Sequence, residues 1–132
     1  KDPAMAAWHA EREADPAAHL KGPEMYRCAF GEPSQKPVIL QRTYRIARHN
    51  VPGALALMPE LQGIVGDTPL MAVLPTVASA MDEMLIAYYF DSVEHFGSQL
   101  DDVAMSPAFQ QLVTKASSYG ELTTSRLLVA ID

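Results

Sequence analysis

One histidine and two adjacent tyrosines are the residues of this chain whose types and positions suit acid–base chemistry. The imidazole of His49 can donate or accept a proton near neutral pH. Tyr88 and Tyr89 are neighbours in a predicted strand, so their side chains point to opposite faces of a sheet. A phenol in a pocket can hydrogen-bond a carbonyl or enolate oxygen as negative charge develops on it. We therefore take His49, Tyr88 and Tyr89 as catalytic candidates.

Each candidate also has a purely structural interpretation. His49 could interact with the last carbonyls and the dipole of a helix end. A tyrosine on a central strand is commonly a core residue with a satisfied hydroxyl. For His95 a packing role at a helix surface is the better explanation, and Asp91 is better explained as a helix cap than as an acid–base group.

The first predicted strand carries three further polar side chains. Tyr26 and Cys28 share one face of it, and we predict both to be substrate-binding residues. Arg27 lies on the other face, where a salt bridge to a carboxylate is the simplest interpretation.

Composition excludes several classes of partner. The net charge is −6, with 10 Lys and Arg against 16 Asp and Glu, and no basic stripe is present, so nucleic acid is not an expected partner. No apolar run reaches the roughly 18 residues that a membrane span requires. The single cysteine excludes an internal disulfide and a cysteine-rich zinc site, and it fits a reducing cytoplasm. No signal peptide is expected, since no apolar segment follows a basic start.

No cofactor or metal is expected from the motifs. The chain has no glycine-rich phosphate loop and no Gly-x-Ser-x-Gly nucleophile motif. Its four histidines have no metal-ligand spacing.

The elements that must position these residues follow from periodicity and from Pro and Gly breakers. Strands are predicted at residues 25–30, 61–65, 83–90 and 125–131. Helices are predicted at residues 36–50, 93–103 and 106–116, with a further short helical turn at 54–58. Residues 67–81 are predicted as a long apolar connection that covers a sheet edge, a partner subunit or a ligand pocket.

This order, β-α-β-β-α-β, predicts an α+β domain of the ferredoxin-like, split β-α-β type. Its four-stranded antiparallel sheet would carry helices on one face only. The strand at 83–90 is apolar on both faces, which indicates that the second face is covered as well. A second copy of the chain is the simplest cover, and we predict a homodimer.

We divide the chain into an arm at residues 1–22 and one domain at residues 23–132. Residues 1–4 could be a vector remnant. The arm is either a loosely held extension or a segment that folds over a pocket or a partner chain through Trp8 and His9.

Two groups of residues resemble the EthD-like dimeric α/β-barrel family. The first is Tyr89-Phe90-Asp91-Ser92, Val93-Glu94-His95-Phe96 and Ser106-Pro107-Ala108-Phe109, which is similar to the third strand and second helix of that family. The second is Tyr44, His49, Pro52 and Pro59-Glu60-Leu61, which is similar to the end of its first helix and the approach to its second strand. The resemblance covers residues 24–132.

The resemblance implies a homodimeric barrel with a pocket in each subunit between sheet and helices. His49 would lie at that pocket, and Tyr44, Phe90 and Phe96 would join Tyr26 and Cys28 in binding the substrate. The family includes cyclising, dehydrating and isomerising enzymes (lyases and isomerases) and cofactor-free monooxygenases, and it does not fix the reaction.

Three functions stay open on the sequence. The first is a small cofactor-independent enzyme acting on a hydrophobic aromatic or polyketide-like molecule of secondary metabolism. The second is a non-catalytic dimer that binds a hydrophobic small molecule or supports a partner enzyme. The third is a structural dimer without a pocket.

Overall fold

A computed structural model describes residues 23–131 of the chain as five strands and four helices. The strands are β1 (Met25–Gly31), β2 (Val38–Ile46), β3 (Leu70–Val77), β4 (Glu83–Phe90) and β5 (Gly120–Val129). The helices are α1 (Val51–Ala56), α2 (Met58–Val65), α3 (Val93–Gln99) and α4 (Pro107–Ala116). A 3₁₀ turn (Arg48–Asn50) precedes α1, and a π turn (Leu100–Ala104) joins α3 to α4.

The strands form one antiparallel sheet in the order β1-β3-β4-β2-β5. Strands β2 to β5 with their helices reproduce the split β-α-β arrangement. The predicted α+β, ferredoxin-like fold is therefore confirmed. The sheet has five strands rather than four because β1 is added at the edge beside β3.

The register assigns each residue of the central strands to one of two faces. Val38 pairs with Phe90 and Leu40 with Tyr88, and these residues alternate with a second set that begins with Ile39 and Tyr89. The first set packs against α1, α2 and α4 in one buried cluster, and we call its side of the sheet the helix face. The other side, which carries Ile39 and Tyr89, is the open face.

The prediction of a helix at residues 36–50 is wrong, since β2 occupies most of that segment. The helix was predicted because the apolar residues at positions 39, 40, 44 and 47 have the spacing of one helix face. The true period is two: Val38, Leu40, Tyr44 and Ile46 lie on the helix face. Pairing on both sides, with β4 and β5, then fixes the segment as an interior strand.

The next two predictions are also wrong. Residues 61–65, predicted as a strand, belong to α2, where Pro59 occupies the first turn and Leu61 and Val65 are buried one turn apart. The predicted connection at 67–81 contains β3, an interior strand between β1 and β4. Pro75 suggested a loop because it cannot donate a ladder hydrogen bond, and the β1–β3 ladder shifts register beside its partner Tyr26.

The second half of the domain agrees better with the sequence. The strand at 83–90 is β4, and both following helices form. Ser106 caps α4 by accepting a hydrogen bond from the backbone N–H of Phe109, at 3.2 Å. Ser92, not Asp91, caps α3, accepting from the backbone N–H of His95 at 3.0 Å. The final strand begins at Gly120, five residues before the predicted start.

The predictions for the arm, including Trp8 and His9, fall outside the described residues. Within residues 23–131 no helix is long and apolar enough to cross a membrane.

Candidate functional site

A cavity of about 390 Å³ lies between the helix face of the sheet and helices α1, α2 and α4. Strand residues Tyr44, Ile86 and Tyr88 contribute to one wall. Met58 and Leu112 contribute to the wall formed by the helices. Because most of this lining is apolar, the cavity suits a hydrophobic molecule of moderate size.

Arg42, Tyr44 and Tyr88 interrupt the apolar lining on β2 and β4, and Glu121 lines the cavity from β5. Arg42 and Tyr44 are two residues apart on β2 and so share the helix face. Leu40 pairs with Tyr88 and Arg42 with Ile86, which makes Arg42 and Tyr88 diagonal neighbours across β2 and β4. The alternation and register of two strands thus bring a guanidinium and two phenols together.

Burial raises the pKa of both phenols above that of an ordinary tyrosine. Desolvation is the main cause that raises the pKa of Tyr44, and Arg42 opposes it both as a charge and as a hydrogen-bond partner. Desolvation also raises the pKa of Tyr88, reinforced by the neighbouring Tyr44 and opposed by Arg42. At neutral pH both residues are therefore hydrogen-bond donors and cannot act as bases.

A second, smaller cavity of about 50 Å³ lies behind the first, towards α3 and the π turn. Phe90 and Phe96 line it, and their rings meet edge to face with centroids 5.3 Å apart. Arg42 and Tyr88 belong to the walls of both cavities. Phe109 lines both cavities as well, so these three residues occupy the partition between them.

The structure brings some of the predicted site residues together. Tyr44 and Tyr88 line the larger cavity, Phe90 and Phe96 line the smaller one, and Tyr88 lines both. Of the two adjacent tyrosines, Tyr88 is therefore the one that faces the helices.

The remaining predicted residues lie elsewhere. Tyr89 is on the open face, and so are Tyr26 and Cys28, whose register partners are Pro75 and Val73. The exposed Cys28 thiol donates to the backbone carbonyl of Gly31 at 3.1 Å.

His49 is exposed in the 3₁₀ turn and lines neither cavity. The neighbouring Asn50 holds this turn to the body of the domain, because its side-chain amide donates to the backbone carbonyl of Tyr119 at 3.2 Å. Tyr119 itself lines the larger cavity and lies close to Gly53 of α1. His49 thus lies outside the larger cavity, while Asn50 is hydrogen-bonded to a residue of the cavity wall.

His95 packs as expected, whereas Asp91 does not cap α3 and instead forms a surface ion pair. The ring of His95 meets Phe90 edge to face, with centroids 5.6 Å apart, and its Nδ1 accepts from the backbone N–H of Asp91 at 3.2 Å. The Asp91 carboxylate pairs with Lys36 at 2.9 Å. That contact is the main cause that lowers the pKa of Asp91.

Arg42 is the site residue that the sequence analysis missed. In a helix at 36–50 it would have pointed to solvent with Arg45 and Arg48. In a strand, alternation places it between Leu40 and Tyr44 on the helix face. The sequence did contain a signal for this position, because Arg42 is the one charged residue among the alternate positions 38, 40, 42, 44 and 46.

A metal centre is not apparent in the described part of the chain. Among residues 23–131 no group of three or more His, Cys, Asp or Glu side chains is placed to hold a metal ion.

Solved structures with a similar fold come from several bacterial protein groups. An uncharacterised NIPSNAP domain protein from Burkholderia xenovorans is 24% identical, with 71% of this chain and 94% of that chain covered and a TM-score of 0.62. A putative antibiotic biosynthesis monooxygenase from Chloroflexus aurantiacus J-10-fl is 14% identical, with 72% and 93% covered and a TM-score of 0.54. The heme-degrading enzyme LmHde from Listeria monocytogenes is 16% identical, with 83% and 73% covered and a TM-score of 0.52.

These similarities support the ferredoxin-like fold. No protein-family model matches the chain, and no curated protein matches it. The assignment to the EthD-like dimeric α/β-barrel family stays a prediction.

Proposed function

We propose that this protein is a small enzyme that binds a hydrophobic, oxygen-bearing molecule in the larger cavity and acts on it by acid–base chemistry without a cofactor. The observation that carries the proposal is the apolar cavity of about 390 Å³ with two protonated phenols and a guanidinium at its sheet wall. Aromatic or polyketide-like molecules fit this lining, and cyclisation, dehydration or isomerisation fits its polar groups.

Tyr88 is the residue proposed to act on the reacting oxygen. A buried, neutral phenol donates a hydrogen bond that strengthens as a carbonyl becomes an enolate, and low local polarity increases its effect. Tyr44 supports Tyr88 from the neighbouring strand. His49, whose side chain is exposed outside the cavity wall, is not needed for this step.

A non-catalytic binding role is the second candidate, and one observation favours it. Glu121 is the sole carboxylate among the described lining residues, and it forms an ion pair with Arg45 at 3.0 Å. Under the enzymatic proposal the proton leaving the substrate passes to water at the cavity mouth. Without such a transfer the same cavity would only hold a ligand.

An exchange reaction distinguishes the two candidates without knowledge of the natural substrate. 2-Acetonaphthone is an aromatic ketone with exchangeable methyl protons next to its carbonyl, and their replacement in D₂O is followed by proton NMR. An enzyme that stabilises the enolate accelerates the exchange, and Tyr88→Phe reduces that acceleration by about tenfold or more.

Tyr89→Phe is the matched control, since it removes the same hydroxyl from the open face of the same strand. Binding of the ketone without acceleration would favour the non-catalytic role. Native mass spectrometry of protein from its own host adds the natural ligand, which denaturation would release.

The proposal includes a homodimer formed through the open face. Half-buried apolar residues cover its centre, among them Ile39, Met71, Val73 and Leu85. Sheet-to-sheet packing would remove this apolar surface from water. Light scattering at micromolar concentration should give twice the chain mass, and Leu85→Lys should give the mass of one chain. A monomeric wild-type protein would refute the proposed homodimer.

We also propose a cytoplasmic location, because the single cysteine is free.

A further inference from the structure

Arg42 carries a positive charge that the described part of the protein does not neutralise. The ion pairs found within residues 23–131 join Lys36 to Asp91, Arg45 to Glu121 and Lys115 to Glu60. None of them includes Arg42. Its Nε is buried and has no hydrogen-bond partner in this part of the chain. A guanidinium so placed is costly unless a negative charge reaches it.

The side chains around Arg42 do not supply that charge. Tyr44 and Tyr88 are neutral near pH 7, because the ordinary pKa of a phenol is about 10 and burial raises it further in both residues. Glu121 lines the same cavity, but its carboxylate contacts Arg45. The cavity therefore presents one cation and two hydrogen-bond donors on an apolar wall, a set that complements an anionic oxygen.

The unpartnered atom indicates how an anion would bind. Nε and one terminal nitrogen form one of the two-pronged edges of a guanidinium, and this edge matches the two oxygens of a carboxylate. Nε has no hydrogen-bond partner among the described residues, so a carboxylate that reaches this edge would supply its missing acceptor. A point charge such as a lysine ammonium would not offer the same geometry.

We infer that the ligand of the larger cavity is a hydrophobic carboxylate, whose charged group pairs with Arg42 while its apolar body lies against Met58, Leu61 and Leu112. The inference rests on the proposed function, since it names the substrate class of the same site. It assigns recognition of the carboxylate to Arg42 and leaves the reacting oxygen to Tyr88.

Isothermal titration calorimetry with two probes of the same shape tests this inference. 2-Naphthoate carries the carboxylate, and 2-naphthamide replaces it with a neutral group of similar size. The wild-type protein should bind 2-naphthoate about 10- to 100-fold more tightly, as a charge-assisted, two-pronged contact predicts. Arg42→Gln should abolish the preference, and Arg42→Lys should retain part of it.

Arg126→Gln is the matched control. Arg126 lies on β5 one position away from the partner of Arg42, is exposed, and hydrogen-bonds Gln41 at 2.7 Å on the open face. The substitution removes the same charge from the same sheet and should leave the preference unchanged. The comparison of the two probes on the wild-type protein needs no variant, so it decides the matter even if Arg42→Gln does not fold.

The binding results test the recognition of a carboxylate separately from the binding of a hydrophobic molecule. Equal binding of the two probes, or a preference that survives Arg42→Gln, would overturn the carboxylate inference and leave the hydrophobic cavity as a binding site. Failure of both probes to bind the wild-type protein would count against the proposed function and the inference together.

Discussion

Tyr88 and Tyr89 are consecutive residues of β4, yet they belong to two different environments. Both are buried, with 6% and 5% of their surface exposed. Tyr88 belongs to the buried cluster under the helices and lines both cavities, whereas Tyr89 lies on the open face outside that cluster. Burial alone therefore does not identify the tyrosine that lines the cavities. The face of the sheet does.

The arginines repeat this contrast. On the open face, Arg45 pairs with Glu121 and Arg126 hydrogen-bonds Gln41. On the helix face, Arg42 has no carboxylate partner within residues 23–131 and its Nε is unsatisfied. Paired, exposed cations are ordinary surface chemistry. An unpaired cation in a cavity wall indicates a place where a ligand completes the structure.

The largest difference expected between the two faces is in stability. Leu70, with 2% exposed, lies on the helix face, and the next residue, Met71, lies half-buried on the open face. Leu70→Ala should lower the free energy of unfolding by about 2–5 kcal/mol, because it leaves a cavity in the buried cluster. Met71→Ala should cost less than about 1.5 kcal/mol. Urea unfolding of both variants measures the difference.

The concentration of protein sharpens this comparison. If the open face is a dimer interface, the cost of Met71→Ala will rise with protein concentration, because a dimer's stability depends on concentration. The cost of Leu70→Ala should not depend on concentration in this way. If Met71→Ala lowers the free energy of unfolding as much as Leu70→Ala in dilute protein, the two faces are equally packed and Met71 is not a half-buried surface residue.

The sequence predicted the second half of the domain better than the first for a physical reason. In the segment from Glu83 to Phe90 hydrophobic residues are continuous, which is typical of a strand buried on both faces, and Ser92 and Ser106 supply cap oxygens at helix starts. In β2, by contrast, arginines lie on both faces of the strand, which disrupted the two-residue period and imitated a helix. Tertiary pairing with two neighbours outweighed that local pattern.

The candidate site was predictable to a similar extent. Four of the predicted residues do line a cavity: Tyr44, Tyr88, Phe90 and Phe96. They could be predicted because each is an aromatic residue on the apolar side of its element. Arg42 was missed because its orientation depended on the one element assigned to the wrong class. His49 was placed at a pocket by resemblance, whereas its 3₁₀ turn leaves it exposed. In a strand, a shift of one residue moves a side chain to the other face of the sheet. A strand mistaken for a helix likewise assigns side chains to the wrong side.

The two faces should also differ in alkaline solution. The pKa of Tyr44 and of Tyr88 is raised above the ordinary value of 10.0, mainly by burial. Above pH 10 the unfolded chain loses these protons while the folded protein keeps them, so the free energy of unfolding falls as pH rises. Below pH 10 both states keep the protons, and this contribution is fully present. The slope approaches about 1.4 kcal/mol per pH unit for a tyrosine that is ionised in the unfolded chain and still protonated in the folded protein.

Urea unfolding between pH 8 and pH 11 measures this slope. Tyr88→Phe removes one titrating group and should make the decline shallower, with tyrosinate absorbance reporting ionisation in the same samples. If Tyr88→Phe leaves the slope unchanged, the phenol of Tyr88 ionises as easily in the folded protein as in the unfolded chain, and its assigned environment on the helix face is wrong.

The smallest expected effect concerns a hydroxyl beneath the helix face. Thr68 is 3% exposed, lines the smaller cavity, and its Oγ1 has no hydrogen-bond partner among the described residues. Burying an unsatisfied hydroxyl costs about 1–3 kcal/mol, so Thr68→Val should leave the free energy of unfolding unchanged or raise it. Thr123→Val, which removes an exposed hydroxyl that donates to the backbone carbonyl of Thr43 at 3.1 Å, should lower it by about 0.5 kcal/mol. A loss of about 1 kcal/mol or more in Thr68→Val would reverse this order. Since a cavity of about 50 Å³ has room for a water molecule, that result would mean that Thr68 binds water there and that the smaller cavity is hydrated.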